Sequence, residues 1–215
     1  FGAGWLRLAN GWVRDETLSA EGACAVLPVA ETPRSFEDAP LLPPEIATPA
    51  WERAALETFA DPAQAWLKDE ANPNLLIREG ALLMFASPDT VSQTRLPQAY
   101  ALPVHYALQL TWVASDLEAR LGLVLDTLSL WLGRNGHLRL EQDGKLVALR
   151  EGLILDDAYS VGFAFDGVRG RVYLEKTLVL ETEAASPSGP LNLRLEGEQA
   201  VLRLERLEVW TRPRP

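Results

Sequence analysis

Residues 159–180 read Tyr-Ser-Val-Gly-Phe-Ala-Phe-Asp-Gly-Val-Arg-Gly-Arg-Val-Tyr-Leu-Glu-Lys-Thr-Leu-Val-Leu. Val161, Phe163 and Phe165 alternate with smaller residues, Asp166-Gly167 supplies a turn, and Val172/Leu174 and then Leu178/Leu180 resume the alternation. Successive side chains of an extended chain point to opposite faces, so a period of two marks half-buried antiparallel strands rather than helices.

The alternation continues in both directions. Upstream, Val104, Tyr106, Leu108, Leu110 and Trp112 share one parity, Leu121, Leu123 and Leu125 lead to Asp126-Thr127, and Leu128, Leu130 and Leu132 return. Asn135-Gly136 turns the chain into residues 137–141, and Asp143-Gly144 turns it again into 145–149. Such pairs favour two-residue hairpin turns, whose central positions take positive φ. Downstream, Leu191, Leu193 and Leu195 form one run, and Leu202 and Leu204 are followed by Leu207 and Val209. That change of parity predicts a β-bulge near Glu205-Arg206. Residues 75–85 divide into two strands about Glu79-Gly80, residues 50–58 carry both a short-helix and an opening-strand signal, and residues 89–103 read as loop. Strands at this spacing, joined by Gly-containing turns, predict an all-β, two-sheet antiparallel sandwich over residues 51–212. Trp112 and Phe163 are expected in its core.

Two pieces precede it. In residues 1–26, Trp5-Leu-Arg-Leu8 and Trp12-Val13 flank Ala9-Asn10-Gly11, a hairpin signal. Residues 27–50 contain Pro28, Pro33, Pro40, Pro43, Pro44 and Pro49. Proline has no ladder donor and restricts the residue before it, so this reads as a proline-rich, semi-rigid linker. Phe36, Leu41, Leu42 and Ile46 are apolar enough to strap it along a domain surface.

A net charge of −10 over 215 residues repels nucleic-acid backbone and anionic lipid on average. The single cysteine, Cys24, rules out an internal disulfide. No apolar run approaches the ~18–20 residues of a transmembrane helix, and the first residues do not read as a secretory leader, so the chain as given reads as mature, trimmed or a fragment. The sequence has no Gly-x-Ser-x-Gly, phosphate-loop or dinucleotide motif and no Cys/His cluster, so it assigns no catalytic residue and no metal ligand.

Aromatic residues on the non-core face are the better functional signal. Trp131 opposes the parity of Leu128, Leu130 and Leu132, and Tyr173 that of Val172 and Leu174. An aromatic face stacks on a sugar ring, and polar neighbours such as His105, Gln109 and Arg139 would select hydroxyls. The competing reading is that both rings are covered by the linker, the hairpin or another subunit.

Several of these segments carry a family resemblance. Phe59, Pro62 and Trp66, Gly80-Ala-Leu82, Tyr106/Leu108/Leu110, Gly122–Leu125, the Phe165–Leu174 hairpin and the closing strand Leu204–Trp210 resemble the concanavalin A-like, or laminin G-like, jelly-roll superfamily. Trp5, Leu8, Asn10, Gly11, Trp12, Val13 and Leu18 resemble the closing strands of a bacterial Src-homology-3-like barrel; a free hairpin packed through its two Trp residues is the other reading. The resemblances imply an extracellular or bacterial cell-surface binding or adhesion module, with a polysaccharide or surface protein as partner. A structural subunit of a surface filament or stalk, self-associating through the N-terminal hairpin, is one alternative. A glycoside hydrolase is the other, but the Glu-x-Asp-x-Glu strand of such relatives is here Glu141-Gln-Asp-Gly-Lys145, whose Asp-Gly is better spent on a turn. No cofactor is expected. Calcium, common in that superfamily, would draw on Asp156, Asp157 and Asp166, which as turn residues need no metal.

Overall fold

Every alternating run becomes a strand. The computed structural model describes residues 5–8 and 11–14 as backbone, and residues 40–48, 50–61, 65, 67, 72–184, 187 and 189–212 in full. The chain divides into two units, Phe1–Pro40 and Leu41–Pro215. In the first, β1 (Trp5–Leu8) pairs antiparallel with β2 (Gly11–Arg14), and the ladder closes at Leu8 opposite Gly11. The expected hairpin is present, and Gly11 belongs to its second strand rather than to the turn. Leu18 and Cys24, and Pro28, Pro33, Phe36 and Pro49 of the linker, lie outside the described residues.

In the second unit, β3 (Glu52–Glu57) resolves the mixed signal of residues 50–58 as strand. β4 (Leu75–Arg78) and β5 (Ala81–Ala86) follow about Glu79 and Gly80, whose φ values of 52° and 67° are the positive ones a two-residue hairpin turn requires. β6 (Ser92–Arg95) is a strand where the sequence reads as loop. Its buried side chains are Ser92 and Thr94, whose hydroxyls donate to the carbonyls of Asn74 and Leu67, so it carries no apolar alternation. β7 (Val104–Ala114), β8 (Arg120–Leu125), β9 (Leu128–Gly133), β10 (Leu138–Gln142) and β11 (Lys145–Arg150) fall on the expected runs. So do β12 (Ala158–Phe165), β13 (Arg169–Leu174), β14 (Thr177–Glu183), β15 (Asn192–Glu196) and β16 (Ala200–Thr211).

The strands form two antiparallel sheets, as expected for a jelly-roll sandwich. The six-stranded sheet runs β11-β10-β9-β8-β15-β6, and the eight-stranded sheet β14-β13-β12-β7-β16-β5-β4, with β3 also against β16. β16 pairs with β5 through Ala200–Leu204 and with β3 through Leu207–Thr211. Its register with β7 shifts between Leu204 and Arg206, which puts the expected bulge at Glu205. Between the sheets, Leu108, Leu110, Phe163 and Val172 of the larger meet Leu123, Leu130, Leu132 and Leu140 of the smaller, all fully buried. Trp112 and Phe163 are core residues as expected, and the Trp112 indole N–H donates to the Tyr159 hydroxyl at 2.9 Å.

Leu130→Ala is expected to cost about 2–5 kcal/mol in urea unfolding, because it removes fully buried volume from a packed interior. Ile154→Ala, at a side chain 97% exposed, should stay within about 0.5 kcal/mol.

Candidate functional site

The five residues singled out from the sequence lie on two different surfaces. Tyr173, His105 and Gln109 belong to the outward face of the eight-stranded sheet, whereas Trp131 and Arg139 belong to the outward face of the six-stranded sheet. The sandwich thickness separates the two groups, so they do not combine into one site.

Part of the larger sheet's outward face is covered by the chain itself. Residues 41–48 lie on it, with Leu42 and Pro43 buried, and the Leu41 N–H donates to Glu208 Oε2 at 2.9 Å. The Glu208 side chain is fully buried and also accepts the Trp210 indole N–H at 2.8 Å, with the Arg206 guanidinium and, at 3.6 Å, that of Arg53 on its other oxygen. A buried carboxylate needs such partners to offset its desolvation. Tyr173 is 2% exposed and His105 fully buried, their rings meeting edge to face at 5.9 Å. Gly162 lies under the imidazole, where a Cβ would stand 2.6 Å from His105 Cε1. Neither ring is presented to solvent, and Gln109, four residues further along β7 and opposite Ser160, is half-buried. Of the linker's apolar residues, Leu42 is buried and Leu41 is tied to this face through Glu208.

Burial pushes the His105 imidazole down to about 3, so it is neutral at ordinary pH.

Among the described residues, the smaller sheet's outward face is left uncovered around Trp131. Trp131 of β9 stands between Arg139 of β10 and Gly122 of β8 in the cross-strand ladder, and Gly122 in turn faces Arg194 of β15. Its indole lies against Gly122, where a Cβ would come within 2.6 Å of the ring. The missing side chain is what lets the ring settle onto the sheet. The guanidinium carbons of Arg120 and Arg194 lie 4.6 and 5.9 Å from the indole centroid, within cation–π range. Both arginines also bond to Glu196, Arg120 at 2.6 Å and Arg194 at 2.6 Å, while Arg139 bonds to Glu141 at 2.7 Å.

Of these, Trp131, Arg120, Arg139 and Glu196 line a cleft of about 320 Å³. Glu118, Gly133, Asn135, His137 and Gly197 complete its lining. Its rim is tied by Asp116, whose carboxylate accepts the backbone N–H groups of Glu118, Glu198 and Gln199. Those hydrogen bonds, that from Gln199 foremost, hold the Asp116 carboxyl below its ordinary range. His137 stands at the mouth, half exposed, 4.0 Å from the Glu151 carboxylate.

The sequence singles out Trp131 by parity and Arg139 as a polar neighbour, and Arg120, Gly122 and Arg194 were missed. The signal was there: Arg120 and Gly122 flank Leu121, and Arg194 sits between Leu193 and Leu195, so all three point away from the core. What the sequence could not show is that β15 inserts beside β8.

Asp143 and Gly144, with φ of 50° and 73°, form the turn between β10 and β11, so the Glu141-Gln-Asp-Gly-Lys145 stretch does not run along one strand. Asp166 accepts the N–H groups of Val168 and Arg169 and pairs with Arg171 at 3.2 Å, and Asp157 pairs with Arg134. Among the described residues no group of three or more His, Cys, Asp or Glu side chains is placed to hold a metal ion.

No family model matches the chain, and no curated protein matches it in sequence. Solved structures do match in fold. An endo-acting O-glycanase of the human gut microbiota superposes with a TM-score of 0.57 at 6% identity, over 74% of this chain and 98% of its own. An endo-β-1,3-glucanase from Pyrococcus furiosus gives 0.57 at 11% identity, over 77% and 96%. An endo-β-galactosidase from Clostridium perfringens that releases GlcNAcα1-4Gal gives 0.58 at 8% identity, over 78% and 64%. The sandwich therefore shares the fold of these proteins. Identities this low establish the fold and no more.

Two outcomes follow from the two faces. Gly122→Val should displace the Trp131 indole, visible as a change in near-ultraviolet circular dichroism, with a melting temperature close to that of the parent because the ring is outside the core. An unchanged spectrum would contradict the close contact. For His105, the folded pKa lies below the ordinary imidazole value of 6.5, so the unfolded chain binds the extra proton. Stability should fall as pH drops from about 6.5 toward 3, by up to about 1.4 kcal/mol per pH unit. The difference in urea stability between the parent and His105→Gln, followed from pH 7 to 4.5, reads that slope directly.

Proposed function

We propose that the chain is a non-catalytic extracellular binding or adhesion module that holds a polysaccharide on the Trp131 face of its sandwich. The observation that carries this is the seating of Trp131: an indole fixed on Gly122 at the floor of an open, polar cleft, ringed by guanidinium donors. An amphipathic ring with convergent hydrogen-bond donors is the chemistry a sugar requires, apolar on one face of the pyranose and hydroxylated around its rim. The solved structures that share the fold are named for action on glycans, which favours the same ligand class.

Binding is favoured over hydrolysis by the carboxylates of this face. A retaining glycosidase needs two carboxyl groups about 5–5.5 Å apart, one to attack and one to deliver a proton. Glu141 and Glu196 are each occupied by guanidinium groups, Glu196 by two. The extracellular location rests on the family resemblance and on the glycan-directed neighbours. In this arrangement residues 51–212 are the binding domain, 27–50 the linker, and 1–26 part of an SH3-like barrel.

Screening of the intact chain against a glycan and cell-wall polysaccharide array tests the reading. Trp131→Ala should weaken binding at least about tenfold with folding intact. Tyr173→Ala, on the strapped face, should lower the melting temperature and leave affinity unchanged. Binding that survives loss of Trp131, or no binding to any glycan, would sink the proposal.

A further inference from the structure

The Trp131 ring is not bare. Arg120 and Arg194 already engage it, and both are anchored on the single carboxylate of Glu196. What the cleft offers a ligand is therefore a set of pre-positioned guanidinium N–H groups beside an aromatic surface. Arg120 bonds through Nε and Nη2 to the same Glu196 oxygen, at 2.7 and 2.6 Å. Those two bonds use one edge of its planar fork, and the guanidinium carries further donors on Nη1. Arg139 binds Glu141 through Nη2 and is 43% exposed.

Charge on this face runs against the charge of the chain. The outward positions of β10, β9, β8, β15 and β6 carry Arg139, Arg120, Arg194 and Arg95 against Glu141 and Glu196 on a chain of net charge −10, and the cleft itself is lined by Arg120 and Arg139 with Glu196 and Glu118. Glu118 enters the cleft only from the rim loop. A surface meant for neutral hydroxyls alone has no use for an excess of guanidinium, because amide and hydroxyl side chains serve hydroxyls without the cost of keeping like charges together. Planar guanidinium forks match planar carboxylates, and such charge-assisted pairs are about twice as strong as neutral ones.

We propose that the polysaccharide taken by the Trp131 face is acidic, a chain of uronic acid units whose carboxylates are held by Arg139 and Arg120 on either side of the indole. This rests on the assignment of that face as the glycan site. Trp131 supplies the surface for the sugar ring, Arg139 and Arg120 select its charge, and Glu196 and Glu141 keep the two forks oriented when the cleft is empty.

The test compares each acidic oligosaccharide with its own carboxyl-reduced form, which keeps the linkage and ring stereochemistry and loses only the charge. Oligogalacturonate, oligomannuronate and hyaluronan oligosaccharides, each beside its reduced counterpart, are titrated calorimetrically into the full chain at low salt. At least one acidic form should bind about tenfold or more tightly than its reduced partner, and the advantage should shrink as salt is raised. Arg139→Gln should shrink the ratio of acidic to reduced affinity severalfold. Glu141→Gln, which frees Arg139 from its competing carboxylate, should enlarge the preference. Equal affinity for acidic and reduced forms, with both lost in Trp131→Ala, would overturn the acidic-ligand inference and leave the glycan site standing. Absence of binding by every acidic and neutral oligomer would overturn both.

Discussion

The pairing of β16 with β7, and the bulge that interrupts it at Glu205, sets the rest of the sandwich. Before the bulge, β16 directs Leu202 and Leu204 into the core; after it, Leu207 and Val209. Without the inserted residue, the second half of the strand would turn Arg206 and Glu208 inward and expose Leu207 and Val209. The same point is where β16 exchanges β5 for β3 as its other neighbour. The outward Glu208 that results is the group that captures the Leu41 N–H, so the strap over the larger sheet depends on a single extra residue more than a hundred and sixty positions away in the chain.

That strap makes the two outward faces unlike. On the eight-stranded sheet, His105, Tyr173 and Glu208 are buried, and the chain's own proline-containing segment is tied to that face through the Leu41 N–H and Glu208. On the six-stranded sheet, an equally polar ladder is left uncovered among the described residues, with its cations held in place by one indole and two carboxylates. Equivalent sequence parity thus leads to packing surface on one side and an accessible cleft on the other.

Strand positions were legible because inward apolar parity and positive-φ turns are local properties. Glu79-Gly80 and Asp143-Gly144 each announced a hairpin that the backbone adopts. β6 was illegible because Ser92 and Thr94 satisfy its buried side with hydrogen bonds instead of apolar surface. Of the site, the outward directions of Trp131 and Arg139 could be read from their neighbours. The separation of Trp131 from Tyr173, His105 and Gln109 could not, since parity within a strand does not say to which sheet the strand belongs. The company of Trp131 was hidden for a related reason: Arg194 reaches it only because β15 lies between β6 and β8, a neighbour relation far from sequence order.

The pairing of β3 with the end of β16 has a mechanical consequence. Glu52 lies opposite Thr211, so the chain enters the sandwich and completes its last strand at one corner of the sheet. A pull between those two points acts across the ladder and meets its rungs one after another, as in a zipper. The same hydrogen bonds pulled lengthwise would share the load. Arg53 and Glu208, at the second and fourth rungs, bind the two strands through their side chains and so stand as the first obstacle to peeling.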